Sequence, residues 1–249
     1  MDAFHCSNSI ILDYLHSNQL IKHLHIKQSF ASPLICTFAH SHICTFPKHS
    51  HINININLMN ITVYSASSGQ VPTIYVEAAQ ELGRLMAEGK HTLINGAGRT
   101  GLMGACADAC LAAGGKAIGI IPQFMIDQHW QHTGMSQLIV TPNMHRRKEL
   151  MAEKSDACIA LPGGVGTLEE LLEIITWKQL GLYLKPIIVL NTNHYYDALL
   201  AQLQRAIAEN FMRSQHAAIW HVAQTPAEAL HLAQTTPLWD KSVRKFAAM

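Results

Sequence analysis

From residue 59 onward, short apolar runs alternate with longer segments in which apolar residues recur at helical spacing. The apolar runs predict strands at 61–66, 91–95, 116–121, 137–141, 157–161, 187–191 and 219–223. The segments between them predict helices, except that a polar loop rich in His and Gln is expected from Pro122 to Gly134. This alternation predicts an α/β fold with a doubly wound, Rossmann-like parallel sheet flanked by helices. In such a sheet, ligands bind beyond the carboxyl ends of the strands.

The amino-terminal part of the chain has a different composition. Residues 1–58 contain no glycine, although all 15 glycines occur from Gly69 onward, and they contain half of the 16 histidines. We expect 1–58 to be an atypical, disordered extension, 59–235 to be a single domain and 236–249 to be a tail. A histidine-rich metal-binding arm and upstream sequence ahead of a start at Met59 are the alternatives. The histidine spacing does not repeat, so no metal site is assigned.

A glycine-rich turn follows the apolar run at 157–161. Gly163, Gly164 and Gly166 permit a close approach of a ligand to the backbone, and helical spacing resumes at Leu168. A helix start of this kind binds anions, most often phosphate. Glu170 adds a carboxylate that a phosphate site does not need, which points to chemistry. The alternative is a capping box, in which Thr167 caps the helix and Glu170 folds back onto the cap.

Two further motifs carry candidate ligand groups. The spacing Gly96-x-Gly98-x-x-Gly101 resembles a dinucleotide fingerprint, but no acidic residue closes the next strand, which disfavours a nicotinamide or flavin enzyme. The glycines then serve close packing or a second ligand loop. In the segment 144–148, helical periodicity turns Arg147 and Lys148 inward, where each cation needs a partner. A carboxylate or a phosphate would satisfy them.

Composition restricts the other possibilities. A net charge of +1 gives no electrostatic case for binding nucleic acid or an anionic membrane. No apolar run reaches transmembrane length and no secretory signal is recognised. The six cysteines include no Cys-x-x-Cys pair, so neither a disulfide framework nor a zinc site is expected. We expect a protein of the reducing cytoplasm.

Together, the segments 162–170 (PGGVGTLEE) and 144–148 (MHRRK) resemble the Lonely Guy family, whose members are cytokinin riboside 5′-monophosphate phosphoribohydrolases once mislabelled as lysine decarboxylases. The resemblance covers about residues 59–205. The pair Ser65-Ala66 stands where Cys-Gly is common, and Ala97 interrupts a usual triple glycine. These departures bear on the substrate range more than on the reaction.

The resemblance implies hydrolysis of the N-glycosidic bond of a nucleoside 5′-monophosphate such as AMP or prenylated AMP. It implies Glu170 and Arg147 as the catalytic residues, no cofactor and no metal, and a homodimer. The residues that it implies for substrate and phosphate binding are Gly163, Gly164, Gly166, Thr167, Lys148, Ser68 and Gly98.

Two other functions compete with hydrolysis as explanations of these motifs. A non-catalytic nucleotide carrier or sensor of the same fold would keep the phosphate loop, but it would have no use for an inward carboxylate beside the phosphate. Amino-acid decarboxylation normally requires pyridoxal phosphate on a Schiff-base lysine. No lysine of this sequence lies in a motif that supports that role, so decarboxylation is rejected.

Overall fold

The structure, a computed structural model, describes residues 58–240. The expectations for the histidine-rich segment 1–57 and for residues 241–249 lie outside the described residues. Seven strands are present in the described part: β1 (Asn60–Tyr64), β2 (Thr92–Asn95), β3 (Lys116–Pro122), β4 (Gln137–Thr141), β5 (Ala157–Ala160), β6 (Ile187–Leu190) and β7 (His221–Ala223). The α-helices are α1 (Thr73–Glu88), α2 (Gly101–Ala112), α3 (Gln123–Asp127), α4 (Met144–Lys154), α5 (Val165–Gln179), α6 (Asp197–Ala208) and α7 (Pro226–Thr235).

The strands form one parallel sheet in the order β4-β3-β2-β1-β5-β6-β7. Strands β2 to β4 extend the sheet to one side of β1, and β5 to β7 extend it to the other. In the register, Thr62 lies beside Ile94 of β2 and Cys158 of β5. The order of winding therefore reverses between β1 and β5, which is where a doubly wound sheet opens a crevice for a ligand. The predicted fold class is confirmed.

Apolar side chains cover both faces of the sheet. Within β5, Ala157 and Ile159 belong to the cluster under α1, α2 and α7, whereas Cys158 and Ala160 belong to the cluster under α4, α5 and α6. This alternation follows from the two-residue period of a strand. Because both faces are buried, β5 is continuously apolar, as its sequence indicated.

The structure differs from the sequence expectations at the two ends of the sheet. The segment after β3, expected to be a polar loop, contains the short helix α3. The last strand is shorter than expected and begins at His221. After α7, the chain returns to the domain, where the amide of Trp239 donates to the carbonyl of Leu184 at 2.8 Å. Within residues 58–240, no helix is long and apolar enough to cross a bilayer.

Candidate active site

A cavity of about 640 Å³ opens at the carboxyl ends of β1, β2 and β5. It lies where the winding order of the sheet reverses. The residues that line it are Ser65, Ala66, Ser67, Ser68, Gly96, Gly98, Thr100, Met103, Ile121, Met125, Trp130, Met144, Arg147, Gly164, Val165, Gly166, Thr167, Glu169 and Glu170. The three motifs that the sequence singled out therefore meet at one cavity.

The central feature of the cavity is an ion pair between α4 and α5. Nη1 of Arg147 donates to Oε1 of Glu170 at 3.0 Å. Only 6% of the Arg147 side chain and 8% of the Glu170 side chain are exposed. A charged pair that is removed from water in this way interacts more strongly than a surface pair. Its presence at the wall of a cavity is typical of a site built for chemistry.

The guanidinium of Arg147 is held on more than one side. Its Nε donates to the carbonyl of Ile120 at 3.1 Å, at the end of β3. Sδ of Met144 lies 3.9 Å from Nη1. On the side of β2, Gly96 leaves the space that the guanidinium occupies, because a Cβ there would lie 1.8 Å from Nη2. The orientation of Arg147 is therefore fixed by the ends of two strands as well as by Glu170.

Burial controls the ionisation of the carboxylate. Desolvation raises the pKa of Glu170, and the positive charge of Arg147 opposes that rise. The neighbouring carboxylate of Glu169 raises the pKa further. Glu170 therefore holds its proton more tightly than an exposed glutamate, and Arg147 is the main influence that keeps it ionised.

The glycine-rich turn leads into α5, whose N-cap is Gly164. The helix begins at Val165, so Thr167 lies inside its first turn and no side chain among residues 58–240 caps it. The capping-box alternative is therefore wrong, because Glu170 pairs with Arg147 instead of folding back. Thr167 packs against Gly163, where a Cβ would lie 2.1 Å from the threonine Oγ1. Gly164, Gly166 and Thr167 line the cavity, whereas Gly163 does not.

The two earlier loops close another side of the cavity. Oγ1 of Thr100 donates to the carbonyl of Ser67 at 2.8 Å. The amide of Met103 donates to the carbonyl of Ala66 at 3.1 Å. These bonds join the loop after β1 to the start of α2, and both Ser68 and Gly98 line the cavity as expected for ligand loops.

Lys148, like Gly163, is a predicted site residue that does not line the cavity. It is buried as the helical periodicity indicated, but its Nζ donates to Oε1 of Glu169 and, at 3.0 Å, to Oε1 of Glu173. In this structure its charge links α4 to α5.

The sequence did not indicate the wall formed after β3. Met125 and Trp130 line the cavity, and the side chain of Trp130 remains half exposed. The loop is attached to the start of α2, because the amide of Arg99 donates to the carbonyl of Trp130 at 3.2 Å. A tryptophan within an otherwise polar segment is the sequence feature from which this wall could have been predicted.

The fold and the cavity define a Rossmann-like α/β protein with a ligand site at the switch point of the sheet and a buried carboxylate–guanidinium pair inside it. A family model described as "Possible lysine decarboxylase" matches residues 103–233 of the chain. The chain belongs to this family, which is the Lonely Guy family that the motifs at 144–148 and 162–170 resembled.

Several named proteins are similar to this chain. The cytokinin riboside 5′-monophosphate phosphoribohydrolase of Rhodococcoides fascians is 44% identical over 154 residues, which cover 61% of this chain and 78% of that protein. A protein of the same name from Arabidopsis thaliana is 38% identical over 186 residues, which cover 74% and 87% of the two chains. The structure of a molybdenum cofactor binding protein from Rippkaea orientalis has a TM-score of 0.55 at 25% identity and covers 71% of this chain and 96% of its own.

Proposed function

We propose that this protein is a phosphoribohydrolase that cleaves the N-glycosidic bond of nucleoside 5′-monophosphates and releases the free base and ribose 5-phosphate. The observation that carries the proposal is the buried pair of Glu170 and Arg147, which are 3.0 Å apart at the wall of the cavity. The names of relatives that are 38–44% identical support the same reaction.

In the proposed complex, the 5′-phosphate lies at the amino end of α5. The helix start supplies backbone amides at Gly164 and Gly166 and the hydroxyl of Thr167, and all three residues line the cavity. A helix dipole favours an anion at this position. The loops that contain Ser68 and Gly98 close around the nucleotide from the other side.

The chemical step follows from the charge that develops on the sugar. As the C1′–N bond breaks, the base leaves with the bonding electron pair and the ribose becomes oxocarbenium-like. The Glu170 carboxylate stabilises this positive charge and directs a water molecule to C1′. Arg147 keeps Glu170 ionised and oriented. Addition of water and loss of its proton then give ribose 5-phosphate, and the released base takes up a proton.

The base occupies the apolar side of the cavity. Met103, Ile121, Met125 and Trp130 line the cavity, and none of them carries a charge. An apolar wall favours a purine, and it can also accept a prenyl group attached to the purine. AMP and prenylated AMP are therefore the substrates that we propose to compare first.

A carrier of the same fold is the competing function. The similar protein of Rippkaea orientalis is named for binding a molybdenum cofactor, and a carrier also needs an anion site. Binding without turnover, however, gains nothing from a carboxylate that burial makes costly to ionise. The position of Glu170 beside Arg147 therefore favours catalysis.

The experiment is a base-release assay. The full chain is incubated with AMP and with isopentenyl-AMP, and the free base is measured by chromatography. We expect turnover by the unaltered protein and a decrease in kcat of at least about 100-fold in Glu170→Gln, which keeps the shape of the side chain but removes its charge. Arg147→Ala is also expected to reduce release to a small residual activity while the fold survives.

Circular dichroism and melting temperature confirm that each variant is folded. Nucleotide binding without base release by the unaltered protein would support the carrier instead. Full turnover by a folded Glu170→Gln variant would remove Glu170 from the mechanism.

We also propose that the protein acts as a cytoplasmic homodimer. On and after α5, Leu172, Leu180 and Leu182 are between 39% and 64% exposed, and contact with a second copy of the chain would bury them. Light scattering of the full chain tests the dimer, and Leu182→Glu is expected to weaken it.

A further inference from the structure

The backbone of the turn between β5 and α5 is held from outside by three hydrogen bonds. The three successive carbonyls at 161–163 each accept one. The phenol of Tyr196 donates to the first at 2.6 Å, the amide of Ala66 donates to the second at 3.3 Å and the phenol of Tyr195 donates to the third at 2.7 Å. Two of these three donors are adjacent tyrosines from the segment after β6.

That segment is shaped to bring both tyrosines back to the turn. Asn193 and His194, which precede them, both have left-handed backbone conformations, with φ of 52° and 60°. Oδ1 of Asn191 accepts from the amide of Tyr196 at 2.7 Å, and its Nδ2 donates to Asp197 at 2.7 Å. Uncommon φ values held in place by side-chain hydrogen bonds are typical of segments that serve a site.

Burial and ring contacts hold the two tyrosines in position at the turn. Tyr196 is 1% exposed, and burial raises its pKa, so its hydroxyl stays protonated. The ring of Tyr195 meets the ring of Tyr196 edge-on with centroids 5.0 Å apart. It also meets the ring of Tyr75 on α1 at 5.6 Å. These ring contacts restrict the position of the more exposed Tyr195.

The hydrogen bonds determine where the amides of the turn point. In a planar trans peptide, the C=O of one residue and the N–H of the next point in opposite directions. When Tyr195 holds the carbonyl of Gly163, it therefore directs the amide of Gly164 the other way. Gly164 lines the cavity, so the tyrosine hydroxyl and a bound phosphate would lie on opposite sides of the same peptide.

We infer that Tyr195 and Tyr196 are positioning residues that hold the turn at 161–164 in its phosphate-binding conformation. This inference rests on the proposed function for the identity of the anion. Neither residue lines the cavity, so both act through the backbone that they hold.

The test measures binding of ribose 5-phosphate by calorimetry, with ribose as the probe that lacks phosphate. The full chain is compared with Tyr195→Phe and Tyr196→Phe, which remove one hydroxyl each and keep the ring. We expect each variant to bind ribose 5-phosphate about tenfold more weakly, as the loss of one oriented hydrogen bond predicts. In base release, KM for AMP rises more than kcat falls.

Tyr183→Phe is the matched control. Its phenol is also buried, but it bonds Cys158 at 3.0 Å and Ser155 at 3.3 Å, away from the turn. We expect this variant to lose thermal stability and keep its affinity for ribose 5-phosphate. If Tyr196→Phe fails to fold, the more exposed Tyr195 still provides the test.

Three results would overturn the inference. The first is affinity for ribose 5-phosphate within twofold of the unaltered protein in the folded tyrosine variants. The second is an equal loss in Tyr183→Phe, which would show a general effect on stability. The third is no binding of ribose 5-phosphate by the unaltered protein. Base release is scored separately, so a protein that binds ribose 5-phosphate without turnover would contradict the hydrolase proposal and leave the role of the tyrosines intact.

Discussion

The Cα of Gly96 lies directly against the guanidinium of Arg147, and a Cβ at that position would lie 1.8 Å from Nη2. Because Nη1 of the same guanidinium holds Glu170, Gly96→Ala is expected to displace the catalytic pair although neither Arg147 nor Glu170 is replaced. We expect base release to fall by about 100-fold, since a displacement of about 1 Å can cost that much. Overpacking is expected to lower stability by about 1–3 kcal/mol.

Gly69→Ala provides the control for Gly96→Ala, because a Cβ at Gly69 would meet no atom within 4 Å. Both variants are assayed for base release and for melting temperature. Activity that is equal in the two folded variants would show that the position of the Arg147 guanidinium does not limit the reaction.

The pH dependence of base release follows from the pKa of Glu170. Burial raises this pKa, and the reaction requires the ionised form, so activity is expected to fall on acidification at a higher pH than an ordinary glutamate would give. Arg147 lowers the pKa of Glu170, so Arg147→Met is expected to shift this acid limb further upward. The measurement is kcat/KM from about pH 4 to 9, using residual activity for the variant. An acid limb that stays in place in Arg147→Met would contradict the role of the guanidinium.

Replacement of Lys148 tests whether this lysine binds the nucleotide, as the sequence predicted, or only links α4 to α5, as its contacts indicate. A lysine that contacts the nucleotide would raise KM when it is replaced. Lys148 instead bonds Glu169 and Glu173, and loss of such partly exposed pairs costs about 1 kcal/mol. We expect Lys148→Met to lower the melting temperature by about 2–4 °C and to change KM less than about threefold. A tenfold rise in KM at unchanged stability would place the ammonium group at the substrate.

Lys178 is expected to make the free energy of unfolding depend on pH in the alkaline range. It is fully buried and donates to the carbonyl of Lys185 at 2.9 Å. Burial lowers the pKa of Lys178 from 10.5 to about 8. The unfolded chain therefore binds the proton of the Lys178 ammonium group more tightly than the folded protein does. Below about pH 8, where Lys178 is charged in both states, this difference lowers the free energy of unfolding. This decrease, at most about 3 kcal/mol, is lost as the pH rises from about 8 to 10.5.

The free energy of unfolding of the unaltered protein is compared with that of Lys178→Met at each pH. The other titrating groups are the same in both proteins, so their contributions cancel in the difference. The unaltered protein is expected to gain stability relative to the variant as the pH rises from about 8 to 10. Chemical denaturation at a series of pH values measures this difference. A difference that is constant with pH would mean that Lys178 has an ordinary pKa in the folded state.

Elements with strong local patterns were predicted closely. Strand β4 has the predicted bounds, Gln137–Thr141. Helix α4 begins after Asn143, whose side chain accepts from the amide of Arg146 as an N-cap. Helix α3 and its part of the cavity wall were missed, because a helix of five residues leaves too little periodicity to recognise.

The alternation of strands and helices, the glycine-rich turn and the inward faces of Arg147 and Lys148 are local properties, so the order of residues along the chain was sufficient to predict them. The partners of the two cations are not local. Arg147 meets Glu170 and Lys148 meets Glu169, residues 23 and 21 positions away on another helix. Which of the two adjacent carboxylates pairs with Arg147 depends on how α4 and α5 pack over the sheet, and periodicity within one helix contains no information about that packing.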